Sequence, residues 1–153
     1  MTVEQLSLTD WHKKQAVHNF NATWDLMEKE NRTQEEDFQM IHTAHASRFH
    51  WGEIGTPLEF SRGEWQISRV YSLLGMFQSA QSHAQYCLEL CELNQIGDFD
   101  YAFAHEALAR AYKAGNDLSS MEKHLKLAYK AAEGISEEGD RNYLLSELKS
   151  LEE

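Results

Sequence analysis

YSLLGMFQSAQSHAQYC (residues 71–87) and YKAGNDLSSMEKHLKLA (residues 112–128) decide how this chain is read. Tyr71, Gly75, Phe77, Ala80, Ala84 and Cys87 stand at offsets 0, 4, 6, 9, 13 and 16 of the first stretch. Tyr112, Asn116, Leu118, Met121, Leu125 and Ala128 stand at the same offsets of the second. An aromatic residue, a turn former, a large apolar residue and then small or apolar residues at helical spacing describe a helix end, a tight turn and a second helix folding back on the first. The pattern occurs twice, which predicts a repeated helical hairpin.

The flanking sequence extends the same architecture. Ser61 and Glu64 have capping-box spacing and predict the start of helix 3, packed through Ile67, Val70, Tyr71 and Leu74; helix 4 follows Gly75 with a stripe of Ala80, Ala84, Cys87, Leu88 and Cys91. Asp98 is the expected cap of helix 5, and helix 6 follows Asn116 or Asp117 and ends at Gly134. Towards the amino terminus, residues 1–8 read as a tail, and helix 1 is expected after Thr9 or Asp10 with a stripe of Val17, Phe20, Trp24 and Met27. Thr33 and Glu36 form a second capping box, opening a helix 2 whose packed side is expected to carry Phe38, Ile41, His42, His45 and Phe49. WGEIGTPLEF (51–60) holds two glycines and the only proline and reads as the longest non-helical stretch, pinned down by its apolar residues. Leu144, Leu145, Leu148 and Leu151 belong to a terminal helix covering the last hairpin. The expectation is an all-α single domain over residues 1–153, with antiparallel helical pairs at about 9–52, 61–94 and 98–134 and a capping helix at about 137–152. A plain globular helical bundle is the alternative.

The chain carries 14 Lys and Arg against 25 Asp and Glu, a formal net charge of -11. That balance argues against a nucleic-acid partner, since phosphate attraction needs concentrated positive charge. The absence of a long apolar run argues against a membrane partner, and MTVEQLSLTD lacks the pattern of a signal peptide, so a cytoplasmic location is expected. Cys87 and Cys91, four apart on one helix, are expected to be buried thiols and not a bridge.

The two stretches quoted above resemble tetratricopeptide repeats on the matching tyrosine, turn, large and small positions. The resemblance implies a short right-handed superhelix of helix-turn-helix units. The match departs from the family in period, because Tyr71 and Tyr112 lie 41 residues apart where the family spacing is about 34. Ile67–Ser68 and Leu108–Ala109 replace the usual leucine–glycine pair, neither unit ends in proline, and residues 9–51 match only as an apolar hairpin. In such arrays the first helix of each pair lines the concave face. That placement brings Arg62, Trp65, Arg69 and Ser72 near Phe103, Glu106, Arg110 and Lys113. The lysine and asparagine set of the family's carboxylate-binding members is missing here.

The spacing of Arg62, Trp65 and Arg69, and of Glu106, Arg110 and Lys113, independently puts each trio on one helical face. The functional expectation is a non-enzymatic scaffold binding a protein or extended peptide, acidic in character, through these residues; the competing expectation is that the same charges pair within the chain. His42, His45 and His50 are the candidate ligands of an alternative metal-binding protein or metal-dependent enzyme, and His83, Cys87 and Cys91 form a second such group; packing explains both sets as well. Glu53, Glu64 and Asp98 are available acids or bases, but no nucleophile elbow, phosphate loop or dinucleotide fingerprint is present and no cofactor is called for. His105 beside Glu106 is no dyad, because neighbouring helical side chains diverge. Trp11, Trp51 and the leucines of the last helix leave a homodimer open.

Overall fold

The computed structural model describes Val3 and residues 5–153. The tail reading of residues 1–8 falls in part on Met1, Thr2 and Glu4, which lie outside the described residues. Seven helices make up the described chain: α1 (Leu8–Met27), α2 (Gln34–Ile54), α3 (Pro57–Leu73), α4 (Phe77–Leu93), α5 (Asp98–Ala114), α6 (Leu118–Ala132) and α7 (Glu138–Leu151). They pack as adjacent pairs, α1 with α2, α3 with α4 and α5 with α6. The first helices α3 and α5 lie against each other, and α7 closes on α5 and α6.

The repeated stretches fold alike at their turns. Gly75 and Asn116 both adopt the left-handed backbone, at φ 72° and 59°. Met76 N–H donates to the Tyr71 carbonyl and Asp117 N–H to the Tyr112 carbonyl, each at 2.9 Å, while Gly75 and Asn116 donate to Ser72 and Lys113 at 3.2 and 3.0 Å. These paired bonds close two Schellman motifs 41 residues apart, where glycine or asparagine is the residue that tolerates the turn. Ala80, Ala84 and Ala128 are fully buried. The Ser68 hydroxyl donates to the Ala80 carbonyl at 2.8 Å, so α3 and α4 meet almost backbone to backbone.

Four local expectations are corrected. WGEIGTPLEF is almost entirely helical: α2 runs on to Ile54, only Gly55 and Thr56 intervene, and Pro57 takes the first position of α3. Proline is suited to that position, because its missing N–H has no intrahelical partner to lose. The start at Pro57 puts Ser61 and Glu64 inside α3, where they form no cap. Ser61 donates to the Leu58 carbonyl, and the buried Glu64 carboxylate takes bonds from Arg48 and His83. On α2 the buried residues are Met40, Thr43, Ala44 and Ser47, and the expected Phe38 and Phe49 are 55% and 61% exposed. Short polar side chains outcompete the aromatic stripe because they bond across the α1–α2 contact. The Thr23 and Thr43 hydroxyls meet at 2.7 Å, and Ser47 donates to the Ala16 carbonyl at 2.7 Å. The Thr33–Glu36 capping box forms as expected. The cap of α5 is Gly97, with Asp98 its first helical residue.

Helix α5 is the axis of the packing. Every residue from Ala102 to Ala109 is buried, because α3, α4, α6 and α7 all lie against it, and its alanines let them approach closely. One core cluster joins α5, α6 and α7 through Phe103, Leu125, Leu144 and Leu148; a second joins α4 and α5 through Cys87, Leu88, Cys91 and Leu108; a third joins α2 and α3 through Met40, Ile67 and Val70. Leu148→Ala, at a fully buried site of α7, is expected to cost about 2–5 kcal/mol in urea unfolding. Leu93→Ala, at a site 76% exposed on α4, is expected to change stability by no more than about 0.5 kcal/mol.

Candidate functional site

Of the six residues expected to line a groove on α3 and α5, Trp65, Arg69, Glu106 and Arg110 come together, while Arg62 is held by Asp100 and Lys113 by Leu151, so each is engaged by the chain itself. Glu106, fully buried on α5, accepts the Trp65 indole N–H at 2.9 Å and Arg110 Nε–H at 2.7 Å. Arg69 approaches the same carboxylate at 3.6 Å. Glu147 of α7 sits 3.1 Å from both Arg69 and Arg110, giving two guanidinium groups and two carboxylates in one closed set. Arg62 forms a two-pronged pair with Asp100 at 2.8 and 3.1 Å, and Lys113 Nζ donates to the Leu151 carbonyl at 2.7 Å. The four cations therefore brace α3, α5 and α7 against one another. Nothing in the sequence singles out Glu147 from the other acidic residues, since its partners are 37 and 78 positions away.

Beside this set lies a cleft of about 470 Å³. Phe20 and Trp24 of α1, Trp65 of α3, Phe99 and Phe103 of α5 and Tyr143 of α7 supply its aromatic lining, with Arg62, Asp100 and Asp140 among its polar residues. The rings run on from one another: Trp24 to Trp65 at 5.8 Å, Trp65 to Phe103 at 5.8 Å edge-on, Phe103 to Phe99 at 4.6 Å and Phe103 to Tyr143 at 5.5 Å. A second cleft of about 190 Å³, lined by Val17, Trp51, Glu59 and Gly63, shares Phe20 and Arg62 with the first. Of these residues, the sequence reading placed only Arg62, Trp65 and Phe103 on the face. The α1 and α7 contributions come from opposite ends of the chain, and the helical spacing of Phe20 and Trp24 marks a packed stripe without saying that it meets α3, α5 and α7.

Comparison with family models, with curated proteins and with solved structures finds no match to this chain. The site must be read from its own chemistry.

The candidate metal ligands are dispersed. His42 is exposed, His45 meets the Tyr71 hydroxyl at 2.9 Å, and His50 meets His12, Nδ1 to Nδ1, at 2.9 Å. Among the described residues no three His, Cys, Asp or Glu side chains are grouped to hold a metal ion. His83 bonds Glu64 at 2.6 Å, while Cys87 and Cys91 are buried free thiols. Among the described residues no helix is long and apolar enough to cross a membrane.

His105 and His124 form a further pair across α5 and α6, Nδ1 to Nδ1 at 3.2 Å, with the rings of His105, His124 and Tyr112 stacked and Tyr101 edge-on to His105. Burial, then the neighbouring His124, pushes His105 down to about 4. Burial also lowers His124. A histidine depressed in the folded state stays neutral there while the unfolded chain takes up a proton, so stability is retained above about pH 6.5 and lost as pH falls towards 4. Between pH 7 and pH 5 His105 alone is expected to remove about 2 kcal/mol from the unfolding free energy. Urea unfolding at both values checks this, with His105→Phe expected to show the smaller drop. An equal drop in the variant would place the acid sensitivity elsewhere.

Proposed function

We propose that this chain is a non-catalytic helical-repeat scaffold, a divergent relative of the tetratricopeptide type wound as a right-handed superhelix, and that it binds an extended protein segment along the face built by α3 and α5. The observation that carries this reading is the pair of adjoining clefts, about 470 and 190 Å³, that share Phe20 and Arg62 as a common wall. Two neighbouring apolar sockets suit successive side chains of an extended segment, and aromatic linings supply much contact area at small cost in side-chain entropy. The matched Schellman turns at Gly75 and Asn116 support the repeat reading. The closed set of Arg69, Arg110, Glu106 and Glu147 supports a rigid floor, and rigid floors favour affinity because little ordering is left to do on binding. In this reading Arg62 and Trp65 touch the partner, while Arg69, Glu106, Arg110 and Lys113 hold the face in shape.

Selection of short peptides from a displayed random library tests the reading. Recovered binders are expected to lose more than about tenfold in affinity on Phe20→Glu, which puts a charge into the shared wall, with helicity by circular dichroism unchanged. Binders indifferent to that substitution would remove the face from consideration.

A further inference from the structure

The sequence suggests an acidic partner, and the charges around the cleft argue for the opposite sign. Among the described residues Arg62 is the only cation in the cleft lining, and Asp100 already holds it with two bonds. Asp100, Glu59 and Asp140 all act on Arg62, raising its guanidinium above its ordinary value, with the Asp100 hydrogen bond the leading cause. Asp140 lies at the rim on the first turn of α7. Loss of solvent, followed by the charges of Glu137, Asp98 and Asp100, raises its carboxyl above the ordinary aspartate value. The two adjoining clefts are therefore lined by Glu59, Asp100 and Asp140 against Arg62, three carboxylates to one guanidinium group.

The interior is suited to the same sign. Aromatic faces carry negative quadrupole potential, and a guanidinium or ammonium placed over them is attracted. The chain already uses this interaction at the edge of the cleft, where the Arg69 guanidinium carbon lies 5.9 Å from the centre of the Trp65 ring. The smaller cleft, walled by Val17, Phe20 and Trp51, suits an aliphatic side chain.

On the groove reading above, we infer that the partner is a basic segment of another protein, which places an arginine or lysine side chain among Trp24, Trp65, Phe103 and Tyr143 under the rim carboxylates and a neighbouring aliphatic side chain in the smaller cleft. The cation enters between aromatic faces and meets Asp140 at the mouth. An acidic side chain would meet the same carboxylates and be repelled.

Three fluorescently labelled peptides, identical except for arginine, glutamine or glutamate on either side of a central leucine, test the inference against the full chain at near-physiological salt. Anisotropy gives the affinity, and the indole N–H resonances of Trp24 and Trp65 report whether the cleft is filled. The arginine peptide is expected to bind at least about tenfold tighter than the glutamate peptide and to shift both indoles. Asp140→Lys should weaken it by about tenfold, with the urea transition confirming that the variant is folded. Glu122→Lys, an equal charge change on the exposed face of α6, should weaken it by less than about twofold. Equal weakening by the two variants would mean that the overall acidity of the chain attracts the peptide, and would overturn the inference. Equal or tighter binding of the glutamate or glutamine peptide with the indoles shifted would overturn the basic assignment while leaving the groove in place. Indoles unmoved by all three peptides would overturn the groove reading itself and this inference with it.

Discussion

The carboxylate of Glu106 is the constraint on which the rest of the molecule turns. It is fully buried on the most enclosed helix, and a lone carboxylate in that position would lose several kcal/mol of solvation. Its bonds from the Trp65 indole and Arg110, with Arg69 close by, replace that solvation. Satisfying it requires α3 to present Trp65 and Arg69 to α5 at one register. Placing two guanidinium groups there in turn requires a second carboxylate, which Glu147 of α7 provides. One buried charge therefore sets the position of three helices, and the orientation of Trp65 in the cleft follows from it.

Alanine makes that enclosure geometrically possible. Ala102, Ala104, Ala107 and Ala109 surround Glu106 with side chains too small to hold neighbours apart, so four helices reach α5 at once. The same economy recurs at Ala80 and Ala84, where α3 and α4 meet through a hydroxyl-to-backbone bond, and at Thr23, Thr43 and Ser47 between α1 and α2. Close approach through small and hydroxylic residues leaves several aromatic side chains outside the core clusters, with two fates. Some, such as Phe38 and Phe49, stay outside; others, such as Trp24, Phe99 and Tyr143, gather where helices from distant parts of the chain converge, and that convergence is the cleft.

Histidine follows the same logic of cross-helix pairing. His12 with His50 joins α1 to α2, His45 lies against His83 between α2 and α4, and His105 with His124 joins α5 to α6. Burial lowers His45, His50, His105 and His124, which favours the neutral ring at those four positions. Sequence spacing puts His42, His45 and His50 on one helix and suggests a shared ligand, yet His45 and His50 find their partners on other helices and His42 is exposed.

The sequence by itself determined most of the helices, the cap at Thr33, the turns at Gly75 and Asn116, the buried cysteines and the leucine face of α7. Each of these is settled within a few residues by backbone sterics, local hydrogen bonds or a 3.6-residue period. Where two local signals competed, at Ser61–Glu64 against Pro57 and at the aromatic against the hydroxylic face of α2, local reading chose the wrong one, because the outcome rested on bonds to other helices. That Trp65 and Arg69 on α3 would lie near Glu106 and Arg110 on α5 was legible from the repeat resemblance. What they would bind was not. Asp100, Glu147 and the Leu151 carbonyl lie 37 to 78 positions from the cations they engage, and no periodicity reports on pairs so far apart. Only the tertiary structure decided that these charges are spent inside the molecule, leaving an aromatic cleft under an acidic rim, because the pairing of charges depends on distance in space and not on distance along the chain.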